Sequence, residues 1–252
     1  MLQASCTAAG SHAANLDAIK ASGYSYDQYT TPAGRSVTVV SIKHGSVAFD
    51  IDGFMVYVDP VTIFGDSLTN LPKADLILVT HEHHDHLDPI AVERLTKDST
   101  VVMTSEAVAA MLPGARPLKV GQTADIVPGC ISLQTTPAYN ITPGHENFHP
   151  EARGDLGYLL RIDGFTIYVA GDTEDIPPMA RLADENIDIA FLPVNQPYTM
   201  TPTQAIHAIE MIKPAIVYPY HYGDTDLTPI LDRFPAGDTP GSAPRILIRP
   251  LQ

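Results

Sequence analysis

Cysteine is scarce in this chain of 252 residues, which contains only Cys6 and Cys130. Two cysteines are too few for a disulfide scaffold or for a zinc module built from thiolates. A single bridge between them and two unpaired residues both stay open, and we expect them to be unpaired. Any metal site must therefore use histidine and carboxylate side chains.

Positive charge is also scarce: 15 Lys and Arg stand against 29 Asp and Glu, giving a net charge of -14. The average field of such a chain repels phosphate backbones and anionic membrane surfaces. We therefore expect a small-molecule substrate and no nucleic-acid partner. A homo-oligomer is compatible with this composition.

Long hydrophobic runs are missing, since no segment approaches the roughly 18 apolar residues of a membrane helix. No integral membrane segment is expected. The first residues, MLQASCTAAGSHAANLDAIKASG, lack the charged and apolar regions of an intact signal peptide. The first expectation is a cytoplasmic protein. Because small residues around a cysteine such as Cys6 are typical of the mature end of a cleaved lipoprotein, a periplasmic or lipid-anchored protein stays open if an upstream signal was removed.

Short β-type runs alternate with helical patterns along the chain. Strands are predicted at SVTVVSI, SVAFDID, FMVYVDP and ADLILVT, and again at TADIV, CISLQTT, GYLLRID, FTIYVAG, IDIAFLP and AIVYPY. Helices are predicted at PIAVERLT, SEAVAAML, PPMARLADE and TPTQAIHAIEMIK, the last capped by Thr201 or Thr203. Two β-rich halves with helices outside predict an α/β fold of two packed sheets. We expect an N-terminal extension with a short helix over residues 1–35 and one domain over residues 36–252.

The segment DLILVTHEHHDHLDP, residues 75–89, places four histidines and three acids directly after an apolar strand. His81 and His83 are two residues apart, so extended backbone points both side chains to the same side. Imidazole and carboxylate are ligands that zinc and neighbouring divalent metals favour. A solvated polar loop explains this density of ligands poorly, so the segment predicts a metal site. The intervening Glu82 and His84 are expected to contact the ligands or the solvent.

Two later strands also end in side chains of this type. FTIYVAGDT ends at Asp172, and AIVYPYHYG ends at His221. Either feature alone is more often a turn or a packed core group. Three apolar strands that each deliver such a side chain at the carboxyl end predict a convergent site.

The run His81-Glu82-His83-His84-Asp85-His86 matches HxHxDH, the signature of the metallo-β-lactamase superfamily, which the chain resembles from about His44 to its end. It is more closely similar to bacterial metal-dependent hydrolases related to ascorbate-6-phosphate lactonase and N-acyl phosphatidylethanolamine phospholipase D. That similarity lies in IKHGSVAFDIDGFMVYVDP, TPAYN, FHPEARGDLGYLL, YVAGDTEDIPPM, LPVNQPYTM and PYHYG.

The resemblance implies a four-layer αββα sandwich with two divalent metal ions at one sheet edge. Zinc is expected first, with manganese or iron as alternatives. The implied ligands are His81 and His83 for the first metal, Asp85, His86 and His221 for the second, and Asp172 between them. Relatives commonly carry a His where TPAYN offers Asn140. The candidates for the missing ligand are His145 and His149, and the FHP context favours His149.

The expected activity is hydrolysis, because paired cations lower the pKa of a bridging water and supply hydroxide near neutral pH. That hydroxide would attack a carboxylic ester, a lactone or a phosphodiester. Asp85 could orient the water or pass a proton, and His44 could contact the substrate or simply pack. Asp59 is expected to hydrogen-bond near the ligands. Tyr198 could donate to an oxyanion, but we expect it to be a buried aromatic residue.

Two questions stay open at this point. The first is whether the substrate is an ester, a lactone or a phosphodiester. Phosphate recognition should show converging Arg or Lys side chains, and Arg153 is the basic residue near the loop that contains His145 and His149. The alternative to an enzyme is a non-catalytic metal-binding protein on the same fold.

Overall fold

A computed structural model describes residues 12–65, 68–235 and 244–252. The α-helices are α1 (His12–Ser22), α2 (Pro89–Leu95), α3 (Glu106–Met111), α4 (Pro202–Ile212) and α5 (Thr228–Arg233), and 3₁₀ helices span Glu151–Arg153 and Pro177–Glu185. The strands of the first half are β1 (Ser25–Thr30), β2 (Ser36–Lys43), β3 (Ser46–Ile51), β4 (Phe54–Val58), β5 (Leu76–Val79), β6 (Val101–Ser105) and β7 (Arg116–Leu118). Those of the second half are β8 (Thr123–Val127), β9 (Ile131–Pro137), β10 (Leu156–Ile162), β11 (Phe165–Val169), β12 (Ile189–Pro193), β13 (Ile216–Tyr220) and β14 (Arg245–Ile246).

The strands form two sheets of seven strands each within the described residues, and in both sheets the spatial order follows the chain. In the first sheet β1 to β4 are antiparallel and β4 to β7 are parallel. The second sheet repeats this plan, with β8 to β11 antiparallel and β11 to β14 parallel. The predicted α/β fold of two packed sheets is confirmed.

The main core lies between the two sheets and is filled by alternate residues of facing strands. Phe49 of β3 packs against Phe191 of β12, with ring centroids 5.8 Å apart. The other face of the first sheet packs separately against helices, through Tyr57 together with Ile19 of α1 and Leu95 of α2. Both faces of β3, β4 and β5 are thus covered, which explains why these strands have continuous apolar runs.

The predicted strands and helices are found at their places, with small shifts at their ends. PPMARLADE forms a 3₁₀ helix. Thr201, rather than Thr203, caps α4 in a reciprocal arrangement with Gln204. The strands β1, β6, β7 and β14 and the helix α5 were not predicted.

The proposed boundary at residue 35 remains a prediction. The predicted short helix there is α1. However, β1 also lies before that boundary and pairs with β2 from Ser25↔Ser41 to Thr30↔Ser36, so residues 25–30 extend the sheet of the domain.

Two remaining expectations concern the cysteines and the membrane. Cys130 is disulfide-bonded, so the expectation that it is unpaired is wrong, while Cys6 lies outside the described residues. Over the part of the chain that the structure describes, no helix has both the length and the apolar character needed to span a bilayer.

The two sheets are joined at the edge where the parallel strands end. The backbone N–H of Leu156 donates to the carbonyl of Thr80 at 3.1 Å, and that of His221 donates to the carbonyl of His44 at 3.1 Å. The Tyr158 hydroxyl crosses between the sheets and donates to the Val79 carbonyl at 2.6 Å. These bonds fix the relative position of the loops that follow β5, β13 and β2.

The buried hydroxyl of Tyr158 gives a test of this junction. Tyr158→Phe should lower the free energy of unfolding by about 1 kcal/mol, because a buried hydrogen bond is lost while the ring remains. Urea denaturation followed by circular dichroism measures the change. Tyr26→Phe is the control, since its hydroxyl has no hydrogen bond to a described residue. Equal stability of the two variants would contradict the proposed importance of the Tyr158 bond.

Candidate metal centre

The structure brings all seven sequence-predicted ligands to the joined edge of the sheets, together with His44. Their side-chain nitrogen and oxygen atoms form groups in which every atom lies within 4.8 Å of the others. We call His81, His83 and His149 the first cluster, and His44, Asp85, His86 and His221 the second cluster. Each cluster combines side chains from both halves of the chain.

The first cluster is a set of three imidazoles. His81 Nε2 lies 3.0 Å from His83 Nδ1. The His149 ring lies 5.0 Å from that of His81 and 4.9 Å from that of His83, between centroids. Three imidazole nitrogens around one point is a ligand set typical of zinc.

The second cluster adds a carboxylate. Asp85 Oδ2 lies 3.2 Å from His44 Nε2 and 3.5 Å from His221 Nε2. The rings of His86 and His221 stack at 5.1 Å between centroids. This group therefore offers nitrogen and oxygen ligands on one side of the site.

Asp172 lies between the two clusters. Its Oδ1 is 3.3 Å from His86 Nε2, and its Oδ2 is 3.3 Å from both His149 Nε2 and His221 Nε2. The carboxylate thus faces imidazoles of both clusters, which is the position expected of a bridging ligand.

The outer ring nitrogens of these histidines are held by the protein. His86 Nδ1 lies 2.7 Å from the Asp59 carboxylate, His81 Nδ1 lies 2.9 Å from the Thr80 hydroxyl, and His149 Nδ1 lies 3.1 Å from the Tyr198 carbonyl. If each Nδ1–H donates to its oxygen, the lone pair of each Nε2 faces the site. Such outer hydrogen bonds orient metal-binding imidazoles. This geometry agrees with the expectation that Asp59 hydrogen-bonds near the ligands.

The inner atoms of the site lack partners. Four of them are buried without a hydrogen bond: His86 Nε2, His149 Nε2, His221 Nε2 and Asp172 Oδ1. Buried polar atoms normally have a partner, and a divalent cation would satisfy these four together. The donor set therefore fits a metal.

The pKa values of the site differ between its histidines. Burial and the neighbouring His86 hold the pKa of His81 well below its ordinary value, and burial with His149 and Arg153 lowers the pKa of His83 to about 4. Burial opposes the charge of Asp172, but His221 and His86 outweigh it and hold the pKa of Asp172 well below its ordinary value. Burial also opposes the charge of His86, but Asp172 and Asp59 outweigh it and raise the pKa of His86 well above its ordinary value. His81 and His83 are thus held in the neutral state that binds cations, whereas a cation would have to displace a proton from His86.

Three non-glycine residues at this edge adopt left-handed backbone conformations: His44 with φ 53°, Asp59 with φ 48° and His221 with φ 50°. This conformation costs each residue about 1 kcal/mol or more. All three occupy the site or contact it directly. The surrounding structure therefore holds the backbone in conformations that aim these side chains at the clusters.

The loop between β9 and β10 brings His149, and not Asn140 or His145, to the first cluster. Asn140 is bound instead through its Nδ2 to the carbonyls of His145 at 3.2 Å and Tyr198 at 2.8 Å, and its backbone N–H donates to the His149 carbonyl. His145 faces Glu174 at 3.6 Å. The sequence-based preference for His149 agrees with this arrangement.

Three further residues that were expected near the ligands differ in their exposure and contacts. The side chain of His84 is 88 % exposed, and Glu82 pairs with Arg153 at 3.0 Å. Tyr198 is 47 % exposed, so the expectation of a buried aromatic residue is wrong. It lies in the loop after β12, where its ring packs against Phe148 on the outside of the site.

Sequence reasoning missed two contributors. A Cβ atom on Gly45 would lie 2.6 Å from His86 Cε1, so this position must be glycine for the ring to fit. The Asn195 amide lies 3.4 Å from His221 Nδ1. The signal for Gly45 was its place directly after His44, in the turn between β2 and β3, and that for Asn195 was its place just past the end of β12.

Comparisons with known proteins identify the family of the chain. Residues 38–221 match the model of the beta-lactamase superfamily domain. The chain belongs to the metallo-β-lactamase superfamily. Among its relatives, the UPF0173 metal-dependent hydrolase of Thermococcus kodakarensis is 32 % identical over 73 % of this chain and 85 % of its own length, and that of Bacillus velezensis is 31 % identical over 85 % and 93 %.

A crystal structure from Parabacteroides distasonis, provisionally named a metal-dependent hydrolase, has the same superfamily fold. It is 44 % identical, covers 91 % of this chain and 100 % of its own, and superposes with a TM-score of 0.84. The narrower similarity to lactonase and phospholipase D relatives remains a prediction.

Gly45 provides a test of the second cluster. Gly45→Ala should reduce metal bound at this cluster by about tenfold or more, because the new methyl group displaces the His86 ring from Asp59. Metal content by elemental mass spectrometry measures the effect. Gly34→Ala adds the same group in open space at positive φ and controls for general destabilisation. Unchanged metal content in Gly45→Ala would contradict the assigned place of His86.

The His149 assignment is tested by comparing His149→Ala with His145→Ala. We expect the first variant to lose metal from the first cluster and the second to keep it, because His149 Nε2 faces Asp172 while His145 faces Glu174. Metal stoichiometry distinguishes them. Loss of metal in His145→Ala, with metal retained in His149→Ala, would show that His145 completes the first cluster.

Proposed function

We propose that the protein is a metal-dependent hydrolase that holds two divalent cations, zinc first, in a domain comprising residues 36–252. His81, His83 and His149 would hold one cation, Asp85, His86 and His221 the other, and Asp172 would lie between them. The observation that supports this most is the set of four buried, unpartnered atoms aimed at one space. The relatives named as metal-dependent hydrolases support the same conclusion.

Divalent cations in such a site lower the pKa of water and polarise the bond to be cleaved. The side chains around the cations orient the water and the substrate. Asp85, with 23 % of its side chain exposed, and His44, with 12 %, are more accessible than the nearly buried His86, Asp172 and His221. This pair therefore faces the incoming substrate.

Asp85 is suited to orient the attacking water. Burial opposes its charge, but the nearby imidazoles of His221 and His44 outweigh burial and lower the pKa of Asp85. An ionised Asp85 accepts a hydrogen bond from water and turns the water oxygen toward the substrate. Ester hydrolysis then joins that oxygen to the carbonyl carbon, breaks the acyl C–O bond and leaves the alcohol with a proton. We assign His44 to substrate contact beside Asp85.

Arg153 favours a carboxylic ester or lactone over a phosphodiester. All three guanidinium nitrogens have protein partners: Nε and Nη2 contact Asp155, Nη2 also donates to the Phe148 carbonyl, and Nη1 contacts Glu82 and His83. Its charge is balanced by two carboxylates, so protein groups hold it in place rather than leaving it as an unpaired donor for a phosphate. A carbonyl substrate does not need such a donor.

The proposal is tested by metal analysis and hydrolysis assays on protein purified without chelators and on protein reloaded with zinc, manganese or iron. We expect about two metals per chain and turnover of carboxylic esters or lactones in preference to phosphodiesters. Preferred turnover of phosphodiesters would overturn the substrate assignment. Metal binding without any turnover would favour the non-catalytic metal-binding protein.

Variants connect that activity to the site. His83→Ala and Asp172→Ala should each lower hydrolytic activity by more than the roughly 10- to 100-fold loss that is typical when a hydrogen-bond partner of a ligand is removed. Circular dichroism should show that both variants are folded. His207→Ala is the matched control, because His207 lies on α4 with 58 % of its side chain exposed and pairs with Asp175 rather than with a cluster. Full activity in either cluster variant would refute the assigned site.

A further inference from the structure

Exposed apolar side chains are gathered around the candidate metal centre. Phe64 in the loop after β4 is 40 % exposed, and Tyr198 in the loop after β12 is 47 % exposed. Their neighbour Ile63 is 48 % exposed. Large aromatic rings cost free energy when they face water, and apolar surface beside a polar cleft commonly marks a binding site.

The two aromatic residues lie at different ends of the site. The Phe64 ring contacts the ring of His44 at 4.7 Å between centroids. The Tyr198 ring contacts Phe148 at 5.0 Å, and Phe148 directly precedes His149. We call Ile63 and Phe64 the Phe64 patch, and Phe148 and Tyr198 the Tyr198 patch.

A continuous series of ring contacts separates the patches. It begins at the Phe64 patch and passes through His44, His221, His86, His81 and His149. The first of these belongs to the second cluster and the last to the first cluster. A molecule over the clusters would therefore have the Phe64 patch at one end and the Tyr198 patch at the other.

The charged side chains around the clusters disfavour negative charge on the parts of a substrate that extend beyond the metal ligands. Arg153 is neutralised by Asp155 and Glu82, and the side chains of Asp85 and Glu82 are 23 % and 26 % exposed. The net charge of the chain is -14. Apolar ends and a paired Arg153 therefore suit a substrate whose groups beyond the metal ligands are uncharged.

We propose that the Phe64 patch and the Tyr198 patch bind apolar groups on the two sides of the scissile bond. The substrate is then an uncharged carboxylic ester with apolar acyl and alcohol portions, or a lactone with an apolar substituent. This inference rests on the proposed hydrolase function and assigns Phe64 and Tyr198 as specificity-determining residues.

The first experiment compares kcat and KM for 4-nitrophenyl acetate, butanoate and octanoate. The wild type should prefer the longer acyl chains. Alanine at the patch that binds the acyl portion, Phe64→Ala or Tyr198→Ala, should reduce that preference about tenfold, mainly through KM, because apolar contact area is lost. Alanine at the other patch should raise KM for all three esters alike, because their 4-nitrophenyl group is the same. Phe64→Leu and Tyr198→Phe should reverse most of either change. Met111→Ala, at the exposed end of α3, is the matched control and should behave as the wild type.

The second experiment measures binding without hydrolysis. Saturation-transfer NMR with 4-nitrophenyl butyl ether, on chelator-treated protein, should show contact of the ether with the wild type and weaker contact in both alanine variants. Equal transfer in all variants, or none in the wild type, would overturn the inference.

The two proposals fail in different ways. Ester turnover that is independent of chain length and unaffected by both alanine variants would overturn the apolar patches and leave the hydrolase in place. Ether binding that depends on both patches, without turnover of any ester, would support the patches and overturn the hydrolase.

Discussion

The structure of the site depends on the junction of the two sheets at one edge. Backbone hydrogen bonds from Leu156 to Thr80 and from His221 to His44 hold that edge together. The residues joined are themselves next to the ligands or among them. Small shifts between the sheets would therefore separate the clusters, and the buried core between the sheets resists such shifts because it is closely packed.

Within that junction, Asp59 organises the loop of the HxHxDH motif. One carboxylate accepts from the backbone N–H of Thr80, from the Thr80 hydroxyl and from His86 Nδ1, each at 2.7 Å. Asp59 does this from a left-handed backbone conformation. The cost of the conformation is offset by three hydrogen bonds that position both the start of the loop and one of its histidines.

The sequence was informative where a candidate ligand follows an apolar strand. The proximity of His81, Asp172 and His221 could be predicted because the carboxyl ends of parallel strands meet at one edge. The edge strands β1 and β14 were missed because their residues are polar or half-exposed and do not form an apolar run. Tyr198 was misjudged because an aromatic residue in a loop has no periodicity from which burial can be read.

The first cluster shows why the position of a residue in the sequence is not enough to predict which side chain reaches the site. Asn140 stands where the resemblance led us to expect a histidine, and its side chain binds the Tyr198 carbonyl that also contacts His149. Two residues nine positions apart thus share one carbonyl partner. A long-range arrangement of this kind depends on the folded path of the loop, which local sequence patterns do not specify.

The matching strand plans of the two sheets have a consequence for how the site forms. The first half contributes His44, His81, His83, Asp85 and His86, and the second contributes His149, Asp172 and His221. Neither half contains a complete cluster. A fragment that holds only one of the sheets would therefore lack both clusters, and the site forms only when the two halves pack together.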